Sequence, residues 1–169
     1  IGGLTLFSNN VSTTDFVASN TVAAIRFNGG TNVFTNNVAF ANDNSLNFGD
    51  NSSDSFTFNG GLTTTSVGGN VEIASAISSS NDAITFGNIL LNSEATGDTI
   101  TIDTNATNST GDIRLGAVSL SGNTGIATNL TLETTTTTGS ASITFNGDVN
   151  LGSGSSELSV TGDVVLGTN

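Results

Sequence analysis

The sequence predicts an all-β fold, a right-handed parallel β-solenoid of about five repeats of roughly 30 residues each. Three observations lead to this prediction. A short alternating motif recurs at nearly constant spacing, its copies are followed by glycine-containing turns, and no segment has apolar residues at helical spacing. We expect one domain over residues 1–169, less regular over 1–55.

The repeated motif is an apolar, a polar and an apolar residue in succession, which is typical of a strand with one buried face. Its copies begin, at nearly constant spacing, at Ile25, Phe56, Ile84, Ile113 and Ile143. Arg26 and Arg114 occupy the middle position, which we therefore expect to point outward, because an unpaired inward arginine would be costly.

Each motif is followed by a glycine-containing turn, such as Asn28-Gly29, where we expect glycine to supply a positive φ. A second apolar strand begins directly after this turn in most copies, as at Leu62. A third alternating triplet follows half a repeat after the start of most copies, at Val71, Ile100, Leu130 and Leu158. Each repeat would thus hold three strands, and the sequence leaves open whether it closes one coil or two.

Stacked coils would place equivalent side chains above one another. The expected core ladder consists of Phe27, Phe58, Phe86, Leu115 and Phe145. The alternative is a sandwich of short antiparallel strands, which the many turns also permit. A sandwich, however, does not require the same side chain at the same position of every repeat.

The charge balance restricts the partners that the chain can bind. It has fourteen Asp and Glu, two Arg and no Lys, a formal net charge of −12. Binding to nucleic acid or to an anionic membrane surface needs cationic side chains, so we exclude both. No apolar run is long enough to insert into a membrane. A surface of Ser, Thr, Asn and Gly is typical of secreted bacterial proteins, and we expect an extracellular or cell-surface location.

The carboxyl-terminal repeats carry a family resemblance. Ile-Thr-Phe-Asn-Gly at 143–147, Val-Asn-Leu at 149–151 and Leu-Ser-Val-Thr-Gly at 158–162 are joined by loops of small polar residues. This pattern resembles the bacterial β-strand-repeat surface proteins related to filamentous haemagglutinin and autotransporter passenger domains, well over 56–169 and loosely over 1–55. The resemblance implies secretion, β-helical stalks or fibres, and a role in adhesion or biofilm.

The residues available for chemistry are few. The chain has no His, Lys, Tyr or Cys to act as acid, base or nucleophile, so we expect no enzyme and no cofactor. An enzyme acting on polysaccharide through carboxylates such as Asp98 and Asp103 is the alternative. Gly-Asp turns could bind calcium, in which case we select Asp43, Asp50 and Asp54, although Asp after Gly also closes turns on its own.

We expect the solenoid ends to be uncapped, so that the chain is either a piece of a longer solenoid or a subunit that polymerises head to tail. In this hypothesis the strand at Leu4–Phe7 docks on the last two strands of a neighbour. The predicted interface consists of Leu4, Leu6, Phe7, Leu158, Val160, Val164 and Leu166. A stalk of a large adhesin that binds a host, surface or polysaccharide ligand is the alternative function.

Overall fold

A computed structural model describes residues 3–105, 110–121, 126–134, 140–152 and 155–167. All regular structure in these ranges is β-strand, and every strand pairing is parallel. The predicted parallel β-solenoid is confirmed, and the antiparallel sandwich is wrong. Its right-handed winding stays a prediction, based on the usual handedness of crossovers between parallel strands. Within the described residues, no helix has the length and apolarity to cross a membrane.

The strands form three sheets, and the chain visits them in turn. The first sheet contains β1 (Leu4–Phe7), β3 (Ala24–Phe27), β6 (Leu46–Phe48), β9 (Val71–Ile73), β12 (Ile89–Leu91) and β15 (Val118–Leu120). The second contains β2 (Ser12–Thr13), β4 (Thr31–Phe34), β7 (Ser55–Phe58), β10 (Ala76–Ser79), β13 (Asp98–Asp103), β16 (Thr128–Glu133) and β18 (Leu158–Thr161). The third contains β5 (Val38–Ala39), β8 (Leu62–Thr63), β11 (Ile84–Thr85), β14 (Ile113–Leu115), β17 (Ser142–Phe145) and β19 (Asp163–Leu166).

The length of one coil varies along the chain, because loops of different size leave the corners between the sheets. First-sheet partners in successive coils are Leu4 and Ala24, Ile25 and Leu46, Leu46 and Val71, Val71 and Ile89, Ile89 and Val118, and Val118 and Val149. The fourth of these coils is the shortest, and the last is the longest. The last two coils match the predicted repeat of roughly 30 residues, whereas the first four coils are shorter than one repeat.

The sequence motif moves between sheets in the amino-terminal half. Ile25 lies in the first sheet, Phe56 in the second and Ile84 in the third. Phe56 stacks on Ile77 of the next coil, and Ile84 lies one face beyond Ile77. The step from Phe56 to Ile84 is therefore one short coil plus one face. From Ile84 to Ile113 and Ile143, by contrast, each motif stacks directly on the previous one.

The predicted core ladder is accordingly wrong as a single row. All five of its members are buried, but Phe27 belongs to the first sheet and Phe58 to the second. Phe86, Leu115 and Phe145 share the row that runs up the third sheet. The motif spacing misled because a short coil plus one face gives nearly the same distance between motifs as one long coil.

Phenylalanine stacks replace that single ladder at the amino-terminal end. Phe7 lies on Phe27 with ring centroids 4.8 Å apart and planes at 10°. Phe34 and Phe58 stack at 4.8 Å and 6° in the second sheet. Each such pair is worth about 0.5–1.5 kcal/mol beyond its burial. These pairs therefore hold neighbouring coils in register as well as filling the core.

A row of buried hydroxyls closes the corner between the second and third sheets. Ser79 Oγ donates to the Asp82 carbonyl at 2.5 Å, and Thr104 Oγ1 donates to the Gly111 carbonyl at 2.7 Å. Both side chains are buried at the end of a second-sheet strand. Because each bond spans the loop that follows its strand, loops of different length leave the core at the same point.

The motif glycines are needed for a different reason from the predicted one. Gly29 does not have a positive φ, and among the glycines that directly follow the motifs only Gly61 does, at 94°. A Cβ on Gly29 would lie 2.5 Å from the backbone carbon of Asn9 in the preceding coil. Stacked corners approach so closely that no side chain fits between them. Steric contact between coils, and not an unusual backbone conformation, therefore selects glycine here.

We expect Gly29→Ala to destabilise the fold and Gly30→Ala to leave it unchanged or slightly more stable. The new methyl group at position 29 must push apart two backbones, which costs about 1–3 kcal/mol. At position 30 the nearest atom to a new Cβ is 3.7 Å away, so the smaller backbone entropy of unfolded alanine favours the variant. Thermal denaturation followed by circular dichroism measures both, and equal effects would contradict the steric explanation.

Candidate functional site at the two end coils

The two end coils each have a neighbouring coil on one side only. The amino-terminal end coil comprises residues 4–18, which run through β1 and β2 to Ala18, the bridge partner of Phe40. The carboxyl-terminal end coil comprises residues 149–166, from Val149, the bridge partner of Val118, through β18 and β19. Among the described residues, each end coil contributes strands to two sheets and a single bridge residue to the other, and none of these has a partner on the outer side.

The amino-terminal end coil presents fewer of the predicted interface residues than expected. Phe7 continues the inward row that contains Phe27 and Phe48. Leu6, in contrast, pairs with the exposed Arg26, and Leu4 lies two residues away on the same outer side of β1. Leu4 and Leu6 are therefore exposed on the outer face of the first sheet, and of the predicted interface residues in β1 only Phe7 faces the core.

Two other aromatic and aliphatic side chains complete the inner edge at this end. The Phe16 ring lies 5.5 Å from the rings of Phe34 and Phe40, and Val11 packs against the same core. Neither residue was predicted from the sequence. The alternation Phe16-Val17-Ala18 was the available signal, but it stands outside the regular spacing of the motif.

The carboxyl-terminal end coil contains the other predicted interface residues on its inner side. Leu158 and Val160 continue the rows of Leu130 and Leu132 in the second sheet. Val164 and Leu166 continue the rows of Ile143 and Phe145 in the third sheet, and they are 51% and 77% exposed. These apolar side chains lack the covering coil that buries Leu130, Leu132, Ile143 and Phe145 in the preceding coil.

The predicted docking of Leu4–Phe7 on the last two strands does not fit this topology. The strand β1 belongs to the first sheet, whereas β18 and β19 belong to the second and third. A coil added in line must continue each sheet, so β1 of another copy would lie on the segment 149–151. In-line stacking pairs strands that share a sheet, and the strands that lie last in the chain do not share one with β1.

The predicted calcium ligands do not come together. Asp43 lies at the corner between the third and first sheets, between β5 and β6. Asp50 and Asp54 share a turn at the next corner, between β6 and β7. Nowhere in the described ranges do three or more acidic side chains form a group that could hold a metal ion. The three residues proposed from sequence are therefore not one site.

Asp54 instead closes its own turn. Its Oδ2 accepts a hydrogen bond from the Asp50 backbone N–H at 3.0 Å. The side chain is buried beside Gly49 and Ser75. Burial raises the pKa of the Asp54 carboxyl, and the hydrogen bond from Asp50 opposes this only in part.

Asp98 closes the equivalent turn of a later coil with the opposite electrostatic result. Its Oδ2 accepts hydrogen bonds from the backbone N–H of Ala95 at 3.0 Å, from that of Glu94 at 3.2 Å and from Ser93 Oγ at 3.2 Å. The Ala95 bond contributes most to a lowered pKa of the Asp98 carboxyl. The ionised form of Asp98 therefore stabilises its loop.

Comparison with protein-family models, with curated proteins and with solved structures gives no match to this chain.

We expect Asp54→Asn to gain stability relative to the wild-type chain as the pH rises from about 3 to about 7. A carboxyl with a raised folded-state pKa stabilises the fold while it is protonated, and this contribution is lost as the pH rises through the folded pKa. Asparagine keeps an oxygen for the Asp50 N–H and carries no charge at either pH. Urea denaturation at the two pH values measures the difference.

Asp98→Asn is the matched comparison and should behave in the opposite way. Its lowered pKa means that the ionised carboxylate contributes stability above the ordinary value, and that this is lost as the pH falls through the folded pKa. The variant should thus be less stable than wild type near pH 7, with a smaller deficit at lower pH. The same sign for both variants would contradict the assigned causes.

Proposed function

We propose that this chain is a structural segment of an extracellular bacterial fibre, in which solenoid coils stack end to end. One observation carries the proposal. All three sheets run in register from residue 4 to residue 166, and both end coils offer inward apolar side chains and open strand edges to a further coil. The proposal applies whether that coil comes from the same polypeptide or from a second copy.

The forces that hold one coil on the next would also hold an added coil. Each new strand supplies backbone hydrogen bonds to an open edge and covers side chains such as Val164 and Leu166. Burial of apolar surface contributes about 25 cal/mol per Å². A fibre built in this way would lengthen by about 4.8 Å per coil.

The acidic side chains support a structural role over a catalytic one. The carboxylates of Asp54 and Asp98 are held by their own turns. Asp112 is paired with Arg114 at 2.5 Å, and its Oδ1 accepts a hydrogen bond from the Ser142 backbone. These acids therefore close corners and link coils. We propose that the chain is not an enzyme. Its net charge of −12 supports the proposal that it is a secreted protein that does not bind nucleic acid.

The test is the concentration dependence of assembly. We expect sedimentation velocity to show species that grow with concentration, and electron microscopy to show fibres one solenoid wide. Fibres that persist with a calcium chelator would support stacking by backbone and apolar contacts. Monomers alone at every concentration would overturn self-assembly of this chain.

A charged pair at the inner edge should prevent that growth. Val164→Asp combined with Leu166→Asp puts two carboxylates where the next coil must bury apolar side chains, so we expect assembly to be lost. The control is the double change Thr144→Asp with Ser159→Asp, which adds the same charge at outward positions of the strands β17 and β18, beside Arg114 and Thr131. Equal loss in both variants would point to net charge and against coil stacking.

A further inference from the structure

We infer that Asn51 is a site of N-linked glycosylation, at which the side-chain amide accepts a sugar from a phosphate-activated donor. The inference does not depend on fibre assembly, since Asn51 lies in a coil with further coils on both sides. It starts from the sequon Asn-X-Ser/Thr, with X other than proline, which marks acceptors of N-linked sugars. The chain contains this sequon at Asn10, Asn51, Asn105, Asn108 and Asn129.

The corner that carries Asn51 is longer than the corners stacked on either side of it. It comprises residues 49–54, between β6 and β7. The equivalent corners are residues 28–30 in the preceding coil and 74–75 in the following one, and Ala74 and Ser75 are buried. Asn51 itself is exposed. An enzyme can therefore reach this side chain without opening the solenoid.

The Asn51 amide is held by its oxygen. Oδ1 accepts a hydrogen bond from the Ser53 backbone N–H at 2.9 Å and another from Ser53 Oγ at 2.8 Å. The Asp54 N–H donates to the Asn51 carbonyl at 3.0 Å and closes the turn. Among the described residues, none forms a hydrogen bond with Asn51 Nδ2. The turn thus leaves the nitrogen, to which a sugar would be joined, open to an enzyme.

This arrangement suits the chemistry of sugar transfer. A bond forms between Nδ2 and the anomeric carbon while the bond from that carbon to a phosphate oxygen of the donor breaks. The phosphate leaves with the bonding electrons, and a base of the transferase takes a proton from Nδ2. Negative charge develops on Oδ1 as this proton leaves. Hydrogen-bond donors placed in advance where charge develops stabilise the transition state, and Ser53 supplies two of them.

Two other sequons have amides that are bonded to neighbouring coils. Asn105 Nδ2 donates to the Ser79 carbonyl at 3.0 Å, so this nitrogen is already engaged. Asn129 Nδ2 donates to the Gly97 carbonyl at 3.5 Å, and its Oδ1 accepts a hydrogen bond from the Glu157 N–H at 3.0 Å. Both amides connect stacked corners. A transferase would have to break these contacts before it could join a sugar to either asparagine.

Asn10 is the nearest competitor, because it too is exposed. Its Oδ1 accepts a hydrogen bond from the Thr31 N–H of the following coil at 3.1 Å. The hydroxyl of its own sequon belongs to Ser12, which begins the strand β2, and forms no hydrogen bond with Asn10 among the described residues. Asn10 therefore lacks the pair of donors that Ser53 gives to Asn51.

The test compares the sequons within the folded full chain. Asn108, which lies outside the described residues, is changed to Gln throughout. The chain is incubated with an asparagine glycosyltransferase, in one arm with a nucleotide-linked sugar and in the other with a lipid-linked sugar, and peptide mass spectrometry follows each asparagine. We expect Asn51 to be labelled about tenfold faster than Asn105 and Asn129, because those amides must first lose hydrogen bonds. It should also be labelled faster than Asn10.

The reference is a set of synthetic peptides that span the four sequons, and the transferases are chosen to label all four at similar rates. Asn51→Gln and Ser53→Ala should abolish labelling at position 51, and Ser53→Thr should keep it. Asn10→Gln is the matched control and should leave it unchanged, and circular dichroism checks that each variant is folded. Labelling of Asn51 first in either arm supports the site and identifies the donor. Labelling of Asn51 in neither arm, or no faster than at the other sequons, would overturn it and leave the proposed function untouched.

Discussion

Parallel pairing of each coil with the one before it is the constraint on which the rest of this structure depends. Adjacent strands lie about 4.8 Å apart, so every strand residue has a fixed neighbour above and below it. A row that faces inward in one coil must face inward in all, as the row from Phe7 through Phe27 and Phe48 does. Corners are free of this rule. Loops can therefore differ so much that the longest coil greatly exceeds the shortest while the three sheets stay continuous.

This division explains what could be predicted from the amino-acid sequence. Alternation at Ile25-Arg26-Phe27 reports the local pattern of burial, and it correctly predicted strands, the inward side of each and the outward arginines. Coil length depends on loops, which contain small polar residues whatever their length and so carry no periodic signal. The motif spacing was nearly constant because a short coil plus one face spans nearly as many residues as one long coil. Sequence reasoning consequently found the fold but assigned Phe27 and Phe58 to a row that they do not share.

The corners show a second limit of sequence reasoning, because one residue type serves several physical purposes. Glycine permits both a positive φ and close approach of backbones, and only the structure shows that Gly29 is needed for the approach. Aspartate oxygens can bind calcium or accept backbone hydrogen bonds, and Asp98 accepts one from the nearby Ala95. Short-range geometry decides between such uses. Separation of Asp43 from Asp50 and Asp54 could be seen only after the corners had been placed.

Repulsion between acidic side chains opposes the stacking of coils, whereas burial of the apolar core favours it. Adjacent coils already bring like charges together, since Asp103 pairs with Glu133 on the outer side of the second sheet. Inside the chain the covalent connection and the buried rows outweigh such pairs, because neighbouring coils are held at a high effective concentration. A coil from a second copy lacks that advantage and must bind through the same contacts alone. An acidic solenoid can thus be stable along its length, while repulsion between acidic side chains limits which coil can stack on its ends.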